Sequence, residues 1–252
     1  MTDSTAAWTV PDYGIDAPGV MRNLLVFGGL ALVLSFAIPA SLHAGPVELN
    51  LRVPLRWIAG FLLVQGLMFL LYVKHGKFRH RDFMLALYPW RGNERVLDVG
   101  CGRGLLLAGI AKRLTTGSAS GLDIWSNEDM AGNSEKATLR NLELEGVIQR
   151  CALVSEPAQA MTFDDASFDV VVSNLCLHNI YDKTLRRQAL QEIVRVLKPG
   201  GVALISDYKR TGEYIREFKK AGLKVQRLRG SLFATFPPLK VVIASKPPIM
   251  AG

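Results

Sequence analysis

A doubly wound α/β domain with a mainly parallel sheet and an antiparallel edge, preceded by a hairpin of two membrane-crossing helices, is the fold class this sequence predicts. Three observations carry it. Two long apolar runs without charge come first. From residue 93, short β-branched runs alternate with helical stretches. The last two strand-like runs have no helix pattern between them. The chain has 252 residues, 49% hydrophobic and 21% charged, with net charge +8. That length builds a core without a disulfide or metal staple. The composition excludes a disordered or collagen-like chain, and so high an apolar share points to membrane-inserted sequence. Cys101, Cys151 and Cys176 are too few and too scattered for a disulfide scaffold or zinc ribbon, and an odd number of thiols fits a reducing compartment.

The first apolar run is 24–42, LLVFGGLALVLSFAIPASL. As a helix it spans about 28 Å, close to one hydrocarbon core. Pro39 near its end is tolerable in a membrane helix. The second run is 57–73, bounded by Arg56 and Lys74, with Trp57 and Tyr72 where aromatic belts lie. A signal peptide fits poorly: the basic flank is thin, and a second span follows closely. Lys74, Lys77, Arg79 and Arg81 follow the second run, whereas the loop 43–56 holds only Arg52 and Arg56 against Glu48. The positive-inside rule then puts residue 74 onward in the cytoplasm, and the N-terminus with it. The expected organisation is a cytoplasmic segment 1–23, the hairpin 24–73, a basic juxtamembrane linker 74–92 and the α/β domain 93–252. This describes an integral membrane protein of a bacterial-type inner membrane.

Within the α/β domain, strands are expected at 95–99, 118–123, 151–154, 168–174, 202–206, 223–228 and 239–245. Helices are expected at 104–114, 133–146, 183–197 and 212–221. Residues 168–174, FDVVVSN, are nearly all apolar, as a central parallel strand should be. The helix 183–197 stops at Lys198-Pro199-Gly200-Gly201.

The strongest chemical signal is Val96-Leu97-Asp98-Val99-Gly100-Cys101-Gly102-Arg103-Gly104. Glycines after a first strand let the backbone turn sharply and let a ligand approach the main chain. Gly121-Leu122-Asp123-Ile124 closes the second strand with a carboxylate able to accept both hydroxyls of an adenosine ribose. The glycine spacing is one residue tighter than the dinucleotide fingerprint, which disfavours an NAD-linked oxidoreductase.

With Phe163-Asp164-Asp165-Ala166-Ser167-Phe168-Asp169-Val170-Val171 and Glu192-Ile193-Val194-Arg195-Val196-Leu197-Lys198-Pro199-Gly200-Gly201, residues 93–246 resemble the class I S-adenosylmethionine-dependent methyltransferases. The flavour is similar to the ubiquinone/menaquinone-biosynthesis type. The resemblance implies a Rossmann-like seven-stranded sheet with an antiparallel last strand. It implies that Asp98, Gly100, Cys101 and Gly102 line the methionine end of S-adenosylmethionine, and that Gly104 lets the first helix pack close. Asp123 would hold the ribose hydroxyls, and Ile124 and Trp125 would flank the adenine. Glu156 stands where relatives often carry an aspartate for the adenine amino group. Asn174 and Leu175 would face the transferring methyl.

His178, the one histidine after residue 93, sits just past the fourth strand, where an imidazole can take a proton from a substrate. Capping the loop is the competing role. Tyr208, at the end of the fifth strand, is a candidate at the same edge. Asp182 reads as a helix N-cap. No His/Cys/carboxylate cluster has metal-ligand spacing, so no metal is expected. Residues 208–246 carry ten Lys/Arg against Glu213 and Glu217. That basic surface, with the hairpin, suits a bilayer and a lipid or hydrophobic small-molecule acceptor. It is equally a solvated helix face. No nucleic-acid partner is expected. Two alternatives stay open: a protein methyltransferase acting on a membrane partner, and a catalytically silent cofactor-binding scaffold. The segment 1–20, with Trp8 and Tyr13, is expected to fold over the cofactor as a lid.

Overall fold

The structure, a computed structural model, describes residues 9–127, 130, 132–230 and 235–249. Two antiparallel helices open it, α1 (Pro18–Ala37) and α2 (Arg52–Leu71). A small antiparallel ribbon joins them, β1 (Leu42–Ala44) and β2 (Val47–Leu49). Proline suits the first turn of a helix, so α1 starts at Pro18, ahead of the apolar run expected from 24. It stops at Ala37, because the residue before Pro39 is driven to extended backbone; Ile38 has ψ 154°. Gly28 and Gly66 set the spacing between the helices. A Cβ on Gly28 would lie 2.9 Å from Leu63 Cγ, and one on Gly66 2.6 Å from Leu25 Cδ2. Small residues at such contacts let helices approach in an apolar medium. Across the far turn, Arg52 Nε donates to the Ile38 carbonyl at 2.9 Å. Other side chains of the hairpin point outward: Phe27, Val33, Phe36, Trp57, Phe61 and Val64 are all exposed. By length and composition both helices are long and apolar enough to cross a membrane.

The second helix does not end at Leu71. A π-turn, Tyr72–Gly76, carries it into α3 (Lys77–Leu85), making a rod of 34 residues from Arg52 to Leu85. The stretch 74–92, expected as a linker, is therefore helical as far as Leu85. Its Lys77, His80, Met84 and Leu85 are buried. Lys77, His80 and Met84, spaced by three and four with Leu85 adjoining, make a helical stripe that the surrounding Lys and Arg obscure in the sequence.

Seven strands form the main sheet: β3 (Arg95–Val99), β4 (Ser118–Leu122), β5 (Cys151–Val154), β6 (Phe168–Asn174), β7 (Leu197–Asp207), β8 (Lys224–Arg229) and β9 (Lys240–Ser245). Their spatial order is β5-β4-β3-β6-β7-β9-β8, with β9 antiparallel to both neighbours and the other pairs parallel. The mixed sheet and its antiparallel last strand agree with the sequence expectation. β7 begins at Leu197 and absorbs Pro199-Gly200-Gly201 through an irregular register opposite Phe168 and Val170.

Helices α4 (Leu105–Ala111), α5 (Glu135–Leu144), α6 (Lys183–Val196) and α7 (Thr211–Lys220) cover the two faces. Alternation along a strand divides the core. Val170 and Val172 meet Leu85, Leu107 and Leu142, from α3, α4 and α5. Val171 meets Leu190, Ile193 and Phe218, from α6 and α7. Asp182 caps α6, accepting from Thr184 N at 2.7 Å and Leu185 N at 2.9 Å. β3 lies between β4 and β6, so the strand order reverses beside it. In open α/β sheets ligands bind outside the carboxyl ends of the strands at such a point.

Candidate active site

A cavity of about 870 Å³ opens at the carboxyl ends of β3, β4, β6 and β7. That is in the upper part of the range for small-molecule sites, about 300–1,000 Å³. Its floor is the glycine turn after β3. Gly100 has φ 73°, and a Cβ there would fall 2.2 Å from Cys176 Sγ, so only glycine fits. Gly102 N donates to Asp123 Oδ2 at 2.8 Å. Gly104 lies outside the cavity wall; a Cβ there would fall 3.0 Å from Thr138, so its absence makes room for α5. Cys101 is on the wall, and burial pushes its thiol well up, which keeps it protonated.

Asp98 is the polar group that calls for a ligand. It lines the cavity, is 1% exposed, and neither carboxylate oxygen has a hydrogen-bond partner. Burial, then the neighbouring Asp123 charge, push its pKa up to about 8. A cation entering the cavity would restore the ionised form. These features fit the ammonium of an amino-acid moiety.

Asp123 is fixed more firmly. Its Oδ1 accepts from Trp125 N at 2.7 Å and Asn133 Nδ2 at 3.2 Å, and its Oδ2 from Gly102 N. It still forms part of the cavity wall, with Ile124 exposed beside it. Trp125 departs from expectation. Its indole donates to Ser155 Oγ at 2.7 Å and packs against the core, outside the cavity wall. Glu156 reaches the wall, but its carboxylate accepts from Thr162 N at 2.9 Å and Thr162 Oγ1 at 2.6 Å. Those two bonds hold its pKa below the usual range.

The opposite wall carries Asn174, Leu175, His178 and Tyr208. Asn174 Oδ1 is buried without a partner. The His178 ring lies against Asp207 without a hydrogen bond to it, its Nδ1 being buried without a hydrogen-bond partner. That nitrogen lies 3.0 Å from Asp207 Oδ1, and Tyr208 meets the ring edge-on with centroids 4.7 Å apart. Asp207 is fully buried, and its Oδ2 accepts from Tyr214 Oη at 2.9 Å. The loop is pinned by Arg186, 1% exposed, which donates to the Ile180 and Tyr181 carbonyls and to both carboxylate oxygens of Glu213, at 3.2 and 3.0 Å. A lysine would not serve all four acceptors.

The N-terminal side of the cavity is closed by residues of the segment 1–20, the one expected from the sequence as a lid. Trp8 lies outside the described residues, but Tyr13, Asp16 and Ala17 line the cavity. They are strapped in place. Asn141 bonds the Asp12 backbone twice, at 2.9 and 2.8 Å, and Arg103 pairs with Asp12 at 2.9 Å. Lys77, counted in the sequence among the basic residues that follow the second apolar run, is 6% exposed. Its Nζ donates to the carbonyls of Tyr13 and Gly14 and sits 4.0 Å from Asp16. Burial lowers the Lys77 pKa and raises that of Asp16, each opposed by the other's charge. His80 Nε2 lies 2.7 Å from Ser206 Oγ on β7, beside Asn174, and burial lowers its pKa to about 4, so it is neutral. Sequence reasoning missed the inward positions of Lys77 and His80, and the buried stripe on α3 is the signal that could have found them.

Residues 97–205 match the model of a methyltransferase domain. A sterol 4-C-methyltransferase of Caenorhabditis elegans is 34% identical over 130 residues, 51% of this chain and 35% of that protein. A ubiquinone/menaquinone biosynthesis C-methyltransferase of Pectobacterium carotovorum is 32% identical over 130 residues, 52% of this chain and 49% of that protein. The chain thus spans half or less of the length of these curated relatives. Among solved structures, an N-methyltransferase of Bradyrhizobium japonicum in complex with S-adenosylhomocysteine shares the fold. The TM-score is 0.56 at 16% identity, over 68% of this chain and 88% of that one.

Proposed function

We propose that this chain, an S-adenosylmethionine-dependent methyltransferase, methylates a hydrophobic small molecule of quinone type while anchored in a membrane, with its catalytic domain in the cytoplasm. The observation that carries the reading is one cavity with two unlike walls. On one side stands the unpartnered Asp98 carboxylate; on the other, His178 backed by Asp207.

Asp98 would hold the ammonium of the cofactor, Asp123 its ribose hydroxyls, and Ile124 one face of its adenine. Glu156, turned to Thr162, would reach the adenine amino group only as a shared acceptor. Asn174 Oδ1 and Leu175 would stand at the reacting methyl. When bound, S-adenosylmethionine supplies a methyl on a sulfonium whose departure leaves a neutral thioether, so the protein's work is mainly to position and to exclude water. With Nδ1 facing Asp207, His178 would use Nε2 to take the proton of an acceptor hydroxyl, and the electron pair released would drive attack on the methyl by that oxygen or by the ring carbon beside it. The buried Asp207 charge would then stabilise the imidazolium. Tyr208 orients the ring from its edge.

Apolar acceptors fit the names of the relatives, one a sterol and one a quinone methyltransferase. Membrane residence is supported by the outward apolar faces of α1 and α2, and by exposed Lys74, His75 and Arg79 at their catalytic-domain end. The test is transfer of labelled methyl from S-adenosylmethionine to a prenylated naphthoquinol in nanodiscs. Label in the organic phase, reduced about 10²–10⁴-fold by His178→Ala, is the expected result. Label confined to a protein fraction would replace this reading with a protein acceptor.

A further inference from the structure

The cavity does not end at the catalytic domain. It continues between the two N-terminal helices, where Val20 and Leu24 of α1 face Gln65 and Phe69 of α2, and it is bounded on the sheet side by Leu175 and Phe236. The junction is well packed. Phe69, Tyr72 and Val73 form an apolar cluster with Met21, Leu175 and Phe236, and the Phe69 and Phe236 rings meet edge-on at 6.0 Å. Leu24 lies six residues inside α1 and Gln65 seven residues before Tyr72. At ~1.5 Å per residue the cleft therefore rises about 9–10 Å into the hairpin. Gln65 is the one amide in the run 57–73, and it is half-buried against this cleft rather than turned outward. Polar side chains within an apolar span face a protein cavity or pathway as a rule.

We propose that the cleft between α1 and α2 holds the apolar tail of the methyl acceptor, so that the hairpin is a wall of the substrate site as well as an anchor. The occupant follows from continuity. The cleft is apolar along Val20, Leu24 and Phe69, runs into the chamber that His178 and Asn174 face, and has its other end among outward-facing apolar side chains. A tailed amphiphile fits this shape: head group in the polar chamber, chain in the cleft, free end toward lipid. A water-soluble acceptor would leave the cleft unused. The inference rests on the proposed hydrophobic acceptor and adds where its tail lies.

The experiment uses the full chain in nanodiscs with two probes, 2-farnesyl-1,4-naphthoquinol and the same naphthoquinol without the tail. Leu24→Trp and Gln65→Trp fill the cleft; Phe27→Trp, on the outward face, is the control. The expected result is a loss of at least tenfold in kcat/KM for the tailed probe in both filling variants. The tail-less probe, the S-adenosylhomocysteine Kd and the control should stay within about twofold. Unchanged kinetics on the tailed probe in both variants would overturn the inference and leave the proposed function standing. Should wild type methylate neither naphthoquinol while binding S-adenosylhomocysteine, the quinone reading fails. The same variants are then compared on a total membrane-lipid extract. Loss of organic-phase label there supports the cleft, and its retention, or absence of such label in wild type, overturns it.

Discussion

The hairpin and the sheet are made from the same apolar residues and dispose of them in opposite ways. In the sheet domain Leu97, Leu107, Val171 and Ile193 are fully buried, and strands and helices share them between two faces. In the hairpin Phe27, Phe36, Trp57 and Phe61 are each more than half exposed. Contiguous apolar surface of that extent on a soluble monomer marks a binding or membrane site. The contrast teaches that the sheet domain uses its apolar side chains on its own core, whereas the hairpin leaves many of its own outside any core of this chain. The polar groups agree: Asp98, Asp207 and Arg186 are buried in the sheet domain, whereas Gln65 is the one amide in its helical run.

The largest expected effect breaks the contrast directly. Leu107→Ala should cost about 2–5 kcal/mol in denaturant unfolding of the detergent-purified chain, because a core side chain leaves a cavity. Phe27→Ala should change it by less than about 0.5 kcal/mol. Equal losses would mean that the outward hairpin face is covered by protein.

Asp98 sharpens the contrast on the polar side. Its folded pKa is raised from 3.8 to about 8. Cofactor binding through an ammonium needs the ionised form, so affinity should rise roughly tenfold per pH unit from pH 6 to 8 and level off above. Calorimetric titration with S-adenosylhomocysteine in buffers of different ionisation enthalpy should show proton release at pH 7. Asp98→Asn should weaken binding and flatten the slope. Stability of the ligand-free chain takes the opposite sign. The raised folded pKa contributes stability that is full below about 4 and is lost as pH rises through 8.

A smaller effect probes the strap between the two regions. Asn141→Ala removes two bonds to the Asp12 backbone and one to the Arg103 carbonyl. Cofactor affinity should fall about tenfold, a ~1.4 kcal/mol change consistent with leaving buried partners unmatched, and proteolysis near residue 12 should accelerate. Glu156→Gln should do least, under about threefold in affinity, because its carboxylate is already engaged by Thr162.

The sheet was legible because its signals are local. A strand, a glycine turn and a terminal acid occur in register at Val96–Gly104 and Gly121–Asp123, and apolar runs alternate with helical spacing. The chamber was legible for the same reason at Asp98, Gly100, Asn174 and His178, all of which reach the cavity. What failed depends on rotamer and tertiary contact. Trp125 is expected with Ile124 beside the adenine, but its positive φ of 59° and its bond to Ser155 turn it aside. Lys77 and His80 are polar by composition and inward by position, and only docking of α3 on the sheet reveals that. Arg186 reads as one charge among many on α6, yet it fixes the loop that carries His178.

The π-turn at Tyr72–Gly76 sets the phase between the two halves. Closing its ring from Tyr72 O to Lys77 N takes one residue more than an α-turn does. One residue is about 100° of rotation about the helix axis. Without it, the face of α3 that bears Lys77 and His80 would swing away from Tyr13 and Ser206 while α2 kept its place beside α1. One extra residue in the turn thus acts as an angular adapter, so a second helix running on as unbroken α-helix would present the sheet domain turned by more than a quarter circle.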